Sequence, residues 1–375
     1  MKKIIILLLL LIPIKVNANE LAKTSVSSIL MEQSTGKVLY EKKSNEQLPP
    51  ASMTKIMTLL LIMEALEKEK ITLKDEVLIT NNAASMGGSQ VFLESGSKIK
   101  AEELLKSIAI ASANDASVAM AEHIAGTNDE YVKKMNERCK ELGCTSTNFM
   151  NVHGLDENNH YSSAKDMALI TRELLKHEKI LNYTSIYEEY LNKPDGTSTW
   201  MVNTNKLIKY YSGLDGLKTG FTNAAGYCLT ATAVRNNMRL ISVVMKSPTT
   251  KDRSNDTVEL LNYGFSNFKL KIILDAKHDL GTIEILNGKK ENVAIRLIEN
   301  ATNLENMNEE KKYTYNIITN KIKAPVRIGD VVGHLEIIEN NKVINRVNIT
   351  VKENINKANI WDLYIRNLNN ILIGK

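Results

Sequence analysis

The sequence predicts an α/β (α+β) layered domain with an antiparallel sheet, then a small all-β domain and an amphipathic helix at the C-terminus. Three observations carry this reading. Pro49-Pro50 ends one segment, and the run from Ser52 to about Glu69 is apolar on nearly every helical face, so it belongs inside a domain. Residues 213–246 hold three strand-like runs joined by short turns, which implies an antiparallel meander. From Ile272 to Val351 the pattern changes to many short alternating runs, the spacing of a β-sandwich or barrel.

Taken in order, the chain opens with Met1-Lys2-Lys3, an apolar run from Ile4 to Ile12 and a small-residue site at Val16-Asn17-Ala18. The run is shorter than the roughly 20 residues a membrane-spanning helix needs, so residues 1–18 read as a cleaved secretion signal. Residues 25–43 read as a hairpin turning at Ser34-Thr35-Gly36. After the buried helix, Ile71 to Thr80 and Ser89 to Leu93 read as extended connections. Helices are expected over Ala101–Ser112, Ala116–Ala125, Asp129–Leu142, Ser163–His177 and Thr257–Phe265, with a loop at Thr147–Leu155. This divides the chain into the signal at 1–18, a first domain at 19–266, a β-domain at 267–355 and a helix at 356–375. In that last helix Trp361, Tyr364, Ile365, Leu368, Ile371 and Leu372 share a stripe, which can lie in a membrane interface or pack on the β-domain.

Composition excludes several functions. The formal charge is +5, and loss of Lys2, Lys3 and Lys15 with the signal leaves +2, too little for a nucleic-acid binder. Three cysteines in a chain this long are no disulfide scaffold. A Cys139–Cys144 bridge is open, but their five-residue separation at a helix end favours reduced, partly buried thiols. His153 and His160 have neither an H-E-x-x-H pattern nor a cysteine at ligand spacing, so no metal or other cofactor is expected.

Chemistry concentrates at Ser52 and Lys55. One turn apart at the start of a buried helix, they place a hydroxyl beside an amine in a dry site, a way to activate serine without histidine. Read alone, Ser52 is equally a helix cap and Lys55 a solvated first-turn residue. Asn114 and Asp115 can likewise cap the helix that follows them. The order Ser52-Met53-Thr54-Lys55, Ser112-Ala113-Asn114, Lys218-Thr219-Gly220 changes the balance, because it is the trio of penicillin-binding proteins and class A β-lactamases, with Ala113 in place of the usual aspartate.

Together with Thr147-Asn148-Phe149, His153-Gly154-Leu155, the run Asp215 to Thr222 and Ala225-Gly226-Tyr227, these motifs identify a resemblance over almost the whole chain. The chain resembles a low-molecular-weight penicillin-binding protein, a serine-type D-alanyl-D-alanine carboxypeptidase. The resemblance implies the transpeptidase fold shared with β-lactamases, peptidoglycan stem peptides as substrate, β-lactam antibiotics as inhibitors, and attachment of the C-terminal helix to the outer face of the cytoplasmic membrane. It implies Ser52 as nucleophile, Lys55 as base and Ser112 as proton relay. Asn114, Lys218, Thr219, Gly220 and Arg253 then bind substrate, Arg253 near its terminal carboxylate unless it is a surface residue. The oxyanion hole is expected from the backbone N–H groups of Ser52 and Phe221. Phe221 stands where some relatives carry histidine. Rival readings are an endopeptidase with the same triad, a β-lactamase, and a non-catalytic wall-binding protein. The β-lactamase reading needs a glutamate-held water for fast deacylation, and β-lactamases lack the long β-domain expected here after Phe268.

Overall fold

The computed structural model describes residues 20–362 and residue 364. The expected secretion signal at 1–18 and the stripe expected of a C-terminal helix, beyond Tyr364, lie outside these residues. Among the described residues no helix is long and apolar enough to cross a membrane.

The first domain is built on a five-stranded antiparallel sheet. Its strands are β1 (Ser27–Glu32), β2 (Val38–Lys42) and, far along the chain, a meander. Between them run a 3-10 turn (Ala51–Thr54), α1 (Lys55–Glu67), β3 (Glu76–Leu78), α2 (Asn81–Ala84), β4 (Lys98–Lys100), α3 (Ala101–Ala111), α4 (Asn114–Ala125), α5 (Asn128–Glu141), α6 (Ala164–Leu174) and α7 (Leu181–Thr184). A hairpin of β5 (Glu188–Asn192) and β6 (Ser198–Val202) and the short α8 (Leu207–Tyr210) lead into β7 (Leu214–Thr222), β8 (Gly226–Arg235) and β9 (Met238–Ser247), which α9 (Thr250–Asn267) closes. The strand order is β2-β1-β9-β8-β7, so both ends of the domain build one sheet and β7 is an edge.

The sheet is covered on both faces, which explains its unbroken apolar strands. Leu30, Leu229, Leu240 and Val244 pack with Leu260 and Leu261 of α9. Ile29, Met31, Ile241, Val243 and Met245 belong instead to the larger core that contains α1, α3, α4 and α6. Helix α1 is buried at nine of its thirteen positions, as expected of a helix apolar all round.

Three local expectations need correction. Helix α9 begins at Thr250 rather than Thr257, because its first two turns carry Lys251, Asp252, Arg253, Ser254, Asn255 and Asp256, which a search for apolar periodicity passes over. Thr249 caps it, accepting from the Asp252 amide. The β5–β6 hairpin and the α2 turn fall in stretches to which sequence reading assigned no element. Finally, Cys139 and Cys144 form a disulfide, with Cα atoms 5.3 Å apart. Gly143, at φ +83°, ends α5 and turns the chain so that the Cys144 amide donates to the Cys139 carbonyl at 3.0 Å. That glycine-based helix end brings residues five apart into bridging range, which separation alone does not reveal. Cys228 is a buried free thiol.

After α9 a ribbon of β10 (Phe268–Leu274) and β13 (Ala301–Asn306) joins the second unit, with Leu270 and Leu304 packed into the α9 core. The other strands, β11 (Thr282–Leu286), β12 (Asn292–Leu297), β14 (Thr314–Thr319), β15 (Ile322–Lys323), β16 (Gly333–Glu339) and β17 (Lys342–Val351), form a six-stranded sheet in the order β14-β16-β17-β12-β11-β15. Their alternating inward residues, such as Ile295, Leu297, Leu335, Ile337 and Ile349, make a separate core.

Candidate active site

The site forms where the 3-10 turn, α1, the α3–α4 junction, the 147–163 loop and the edge strand β7 meet. Ser52 lies in the 3-10 turn and Lys55 is the first residue of α1, completely buried. Lys55 Nζ lies 3.1 Å from Ser52 Oγ. It donates to Asn114 Oδ1 at 2.6 Å and to the His153 carbonyl at 2.6 Å. The Asn114 amide is oriented without ambiguity, since its Nδ2 donates to the Gly87 carbonyl at 2.7 Å and its Oδ1 must then face the amine.

This partner set has a consequence. Two of the three neighbours of Lys55 Nζ are carbonyl oxygens, which only accept. A neutral amine has two N–H groups and one lone pair, so both hydrogens are taken and the lone pair is left for the Ser52 hydroxyl. Burial and the nearby Lys218 ammonium together hold the Lys55 amine well below the ordinary lysine value, with Asp115 opposing them. A helix-starting lysine in such a place is a buried amine able to accept a proton and not a solvated surface cation.

Ser112 ends α3 in the left-handed region at φ +63°, and this kink turns the chain from α3 into α4. Its Oγ is buried and has no hydrogen-bond partner among the described residues, an arrangement that leaves the hydroxyl free for a transferred proton. Asn114, two residues on, opens α4. The Asp115 carboxylate beside it accepts from the Val91, Leu93 and Ala116 amides. It thereby pins the loop whose Ser89 carbonyl accepts from the Asn114 amide at 2.7 Å. Sequence reading offered Asp115 only as a cap; two of its three backbone partners, Val91 and Leu93, lie more than twenty positions away and left no local signal.

Lys218, Thr219 and Gly220 lie on β7. Lys218 is buried, and its Nζ donates to the Thr219 carbonyl at 3.0 Å. Burial first, and then the Arg253 guanidinium, bring its amine down to about 7. Thr219 Oγ1 donates to Thr204 Oγ1 at 2.7 Å, a partner that sequence reading missed. Gly220 is where β7 crosses the nucleophile turn: a Cβ there would lie 2.7 Å from the Pro50 carbonyl oxygen and 3.3 Å from the Met53 nitrogen. Only glycine lets the strand approach this closely. Phe221 follows, half exposed and stacked on Tyr227 with ring centroids 4.4 Å apart. Arg253 is no surface residue; it is 6% exposed, and its buried Nε has no partner among the described residues.

The loop at 147–155 was expected as a turn-rich connection whose motifs match the family, with no role assigned to its main chain. The structure shows that it supplies the His153 carbonyl and that Gly154, at φ +89°, lies against Ala51. Main-chain contributions of this kind carry no side-chain signature. Neither His153 nor His160 joins a metal-binding group, and among the described residues there is no cluster of three or more His, Cys, Asp or Glu side chains able to hold a metal.

A family model described as D-alanyl-D-alanine carboxypeptidase matches residues 14–249. The chain belongs to the D-alanyl-D-alanine carboxypeptidase family. A second model, the C-terminal domain of penicillin-binding protein 5, matches residues 268–357, the span of the β-domain. The D-alanyl-D-alanine carboxypeptidase DacF of Bacillus subtilis (strain 168) is 46% identical over 344 residues, 91% of this chain and 88% of that protein. DacC of Escherichia coli (strain K12), with the same description, is 35% identical over 89% of this chain and 86% of its own. Among solved structures, penicillin-binding protein 5 of Haemophilus influenzae covers 90% of this chain and 98% of its own at 31% identity, with a TM-score of 0.71. A penicillin-binding protein of Listeria monocytogenes in its ampicillin-bound form covers 64% of this chain and 98% of its own, at 29% identity and a TM-score of 0.58. The chain is thus a serine-type peptidase of the penicillin-binding fold, an antiparallel-sheet α/β domain followed by an all-β domain.

Proposed function

We propose that this chain removes the terminal D-alanine from peptidoglycan stem pentapeptides through an acyl-enzyme on Ser52. The observation that carries the assignment is the buried Lys55 amine, 3.1 Å from Ser52 Oγ, with its two hydrogens directed to the carbonyls of Asn114 and His153. In this reading Ser52 Oγ attacks the carbonyl carbon between the two D-alanines while its proton passes to Lys55. The oxyanion is held by the Ser52 and Phe221 N–H groups, at the nucleophile turn and on the edge strand. The C–N bond then breaks, and Ser112 relays the proton from Lys55 to the leaving amine of D-alanine. Water hydrolyses the ester with Lys55 again accepting a proton, which restores Ser52. The open edge of β7 pairs with the extended stem peptide. Asn114 holds its amide, while Lys218, Thr219 and Arg253 take the terminal carboxylate, whose charge matches the two cations.

β-Lactams present the same carbonyl and a carboxylate, so they acylate Ser52 as inhibitors. The chain is exported by residues 1–18 and works outside the cytoplasmic membrane. Residues 356–375 hold it to the outer face, with Trp361 and Tyr364 as interfacial anchors. No metal, organic cofactor or nucleic acid takes part. The test is incubation of the mature protein with labelled penicillin and with a D-Ala-D-Ala peptide. Long-lived label and D-alanine release are expected, and Ser52→Ala should lose both. Rapid turnover of penicillin would indicate a β-lactamase, cleavage of cross-linked dimers in preference to the peptide an endopeptidase, and absence of label a wall-binding protein.

A further inference from the structure

His160 takes no part in the chemistry above, yet it is buried at the hinge of the site. Its Nδ1 accepts from the Met150 amide at 2.9 Å. An amide nitrogen can only donate, so Nδ1 carries no proton and Nε2 must. Nε2–H then donates to Thr54 Oγ1 at 2.8 Å. Thr54 is the last residue of the nucleophile turn, directly before Lys55, and is itself fully buried. Met150 begins the segment that ends three residues later at the His153 carbonyl, the acceptor of Lys55. One imidazole therefore spans the two backbone segments that face each other across the Lys55 amine. The segment has a second tie, from Thr58 Oγ1 to the Val152 carbonyl at 2.7 Å, but that one starts from the interior of α1.

We propose that His160, neutral and in its Nε2–H tautomer, is a positioning residue that holds the His153 carbonyl against Lys55 and so sets the geometry and basicity of the base. Protonation would turn Nδ1 into a donor facing the Met150 N–H, and the clamp would open. Burial brings the imidazole down to about 4, with Glu157 and Asp156 pulling the other way, so the clamp stays closed at neutral pH. The other groups facing this chain of contacts are the imidazole of His153, next to Lys55 and His160, and Lys218 and Asp115, which act on Lys55.

The proposal rests on Lys55 serving Ser52, and its test separates the two. His160→Phe keeps a buried ring and loses both bonds. His160→Asn and His160→Gln each offer one amide group to replace a bond. Acylation of the full chain by labelled penicillin is followed from pH 5 to 10. The Phe variant should acylate roughly tenfold to a hundredfold more slowly on the plateau, the scale of a misplaced catalytic group. Its rising limb should move to lower pH, because the Lys55 ammonium loses a carbonyl acceptor. The Asn or Gln variant should recover part of the rate. A lower melting temperature with unchanged plateau and limb would mean a structural role alone and overturn the proposal. A crystal structure of His160→Phe supplies a reading independent of turnover. Lys55 Nζ still in hydrogen-bond contact with the His153 carbonyl refutes the clamp even if acylation has changed, while a displaced carbonyl in a protein never labelled at Ser52 upholds the clamp and refutes the proposed chemistry.

Discussion

Gly154 lies so close to Ala51 that a Cβ built on it would be 1.9 Å from the Ala51 carbonyl oxygen and 2.9 Å from Thr54 Oγ1. Ala51 directly precedes the nucleophile and itself holds a left-handed φ of +47°. Gly154 follows the residue whose carbonyl accepts from Lys55. The two backbones that define the site therefore touch without any side chain between them. Gly154→Ala meets a backbone atom that cannot move aside and a φ of +89° that alanine rarely adopts. It is expected to destabilise the fold by about 2–4 kcal/mol. In whatever folds, acylation should fall by at least tenfold, since the His153 carbonyl must retreat. Denaturant unfolding and penicillin labelling of the purified variant check both, and a variant as active and stable as the parent would refute this packing.

Two buried amines near one another make the pH dependence specific. Lys55 must be neutral to take the Ser52 proton, so kcat/KM should rise as pH climbs through its strongly depressed pKa. Lys218 must be charged to meet a carboxylate, and in the free protein it loses its proton at about 7. The falling limb of kcat/KM is therefore expected close to neutrality. A bound carboxylate favours the ammonium and raises its pKa, so the falling limb of kcat should lie at higher pH than that of kcat/KM. Because the two cations interact, the limbs describe the pair and not either residue alone. Coincident falling limbs for the two constants would contradict a role for Lys218 in carboxylate binding.

The histidines of the loop predict a loss of stability in acid. His153 and His160 are both brought down to about 4 by burial, against 6.5 for an exposed imidazole. Between those values the unfolded chain binds protons that the folded chain refuses. Stability is complete above the unfolded value and falls as pH drops from 6.5 towards 4. For His160 alone the loss by pH 4 is about 3 kcal/mol. Urea unfolding at pH 7.0, 5.5 and 4.5 should show the decline, and His160→Gln should flatten it. An equal slope in the variant would assign the loss to other groups.

The sheet, the buried helix and the change of character after Phe268 were legible because each leaves a pattern of apolar residues. Ser52, Lys55, Ser112, Asn114 and the Lys218 strand were legible because reactive residue types recur at fixed spacing. What sequence did not disclose is mostly main chain: the His153 carbonyl, the Gly87 carbonyl that orients Asn114, and the approach of Gly154 to Ala51. Those atoms are common to every residue, and their use depends on tertiary approach. Asp115 and His160 were visible as residue types, but local rules assign them capping and loop roles. Their actual partners lie up to 106 positions away. The disulfide was missed for a related reason, because the Gly143 turn and not the spacing decides whether the two sulfurs meet.

In the proposed mechanism Arg253 connects the titration of Lys218 to substrate selection. Its guanidinium sits in a largely buried place where Nε has no partner among the described residues, and it is the charge that lowers Lys218 after burial itself. Removing it should therefore have two opposite effects. Carboxylate binding weakens, by about 1.5–3 kcal/mol for the loss of a charge-assisted contact, and KM for a D-Ala-D-Ala peptide should rise by roughly tenfold to a hundredfold. Lys218, relieved of a like charge, should keep its proton to higher pH, so the falling limb of kcat/KM should move upward. Arg253→Gln preserves much of the side-chain volume and separates these effects from a packing defect. A peptide with its C-terminal carboxylate converted to an amide provides the control: it should bind weakly to the parent and lose little further in the variant. If the variant instead loses activity equally against both peptides at unchanged KM, with the falling limb unmoved, then Arg253 supports the fold of α9 and β8, and the carboxylate is bound by Lys218 and Thr219 without it.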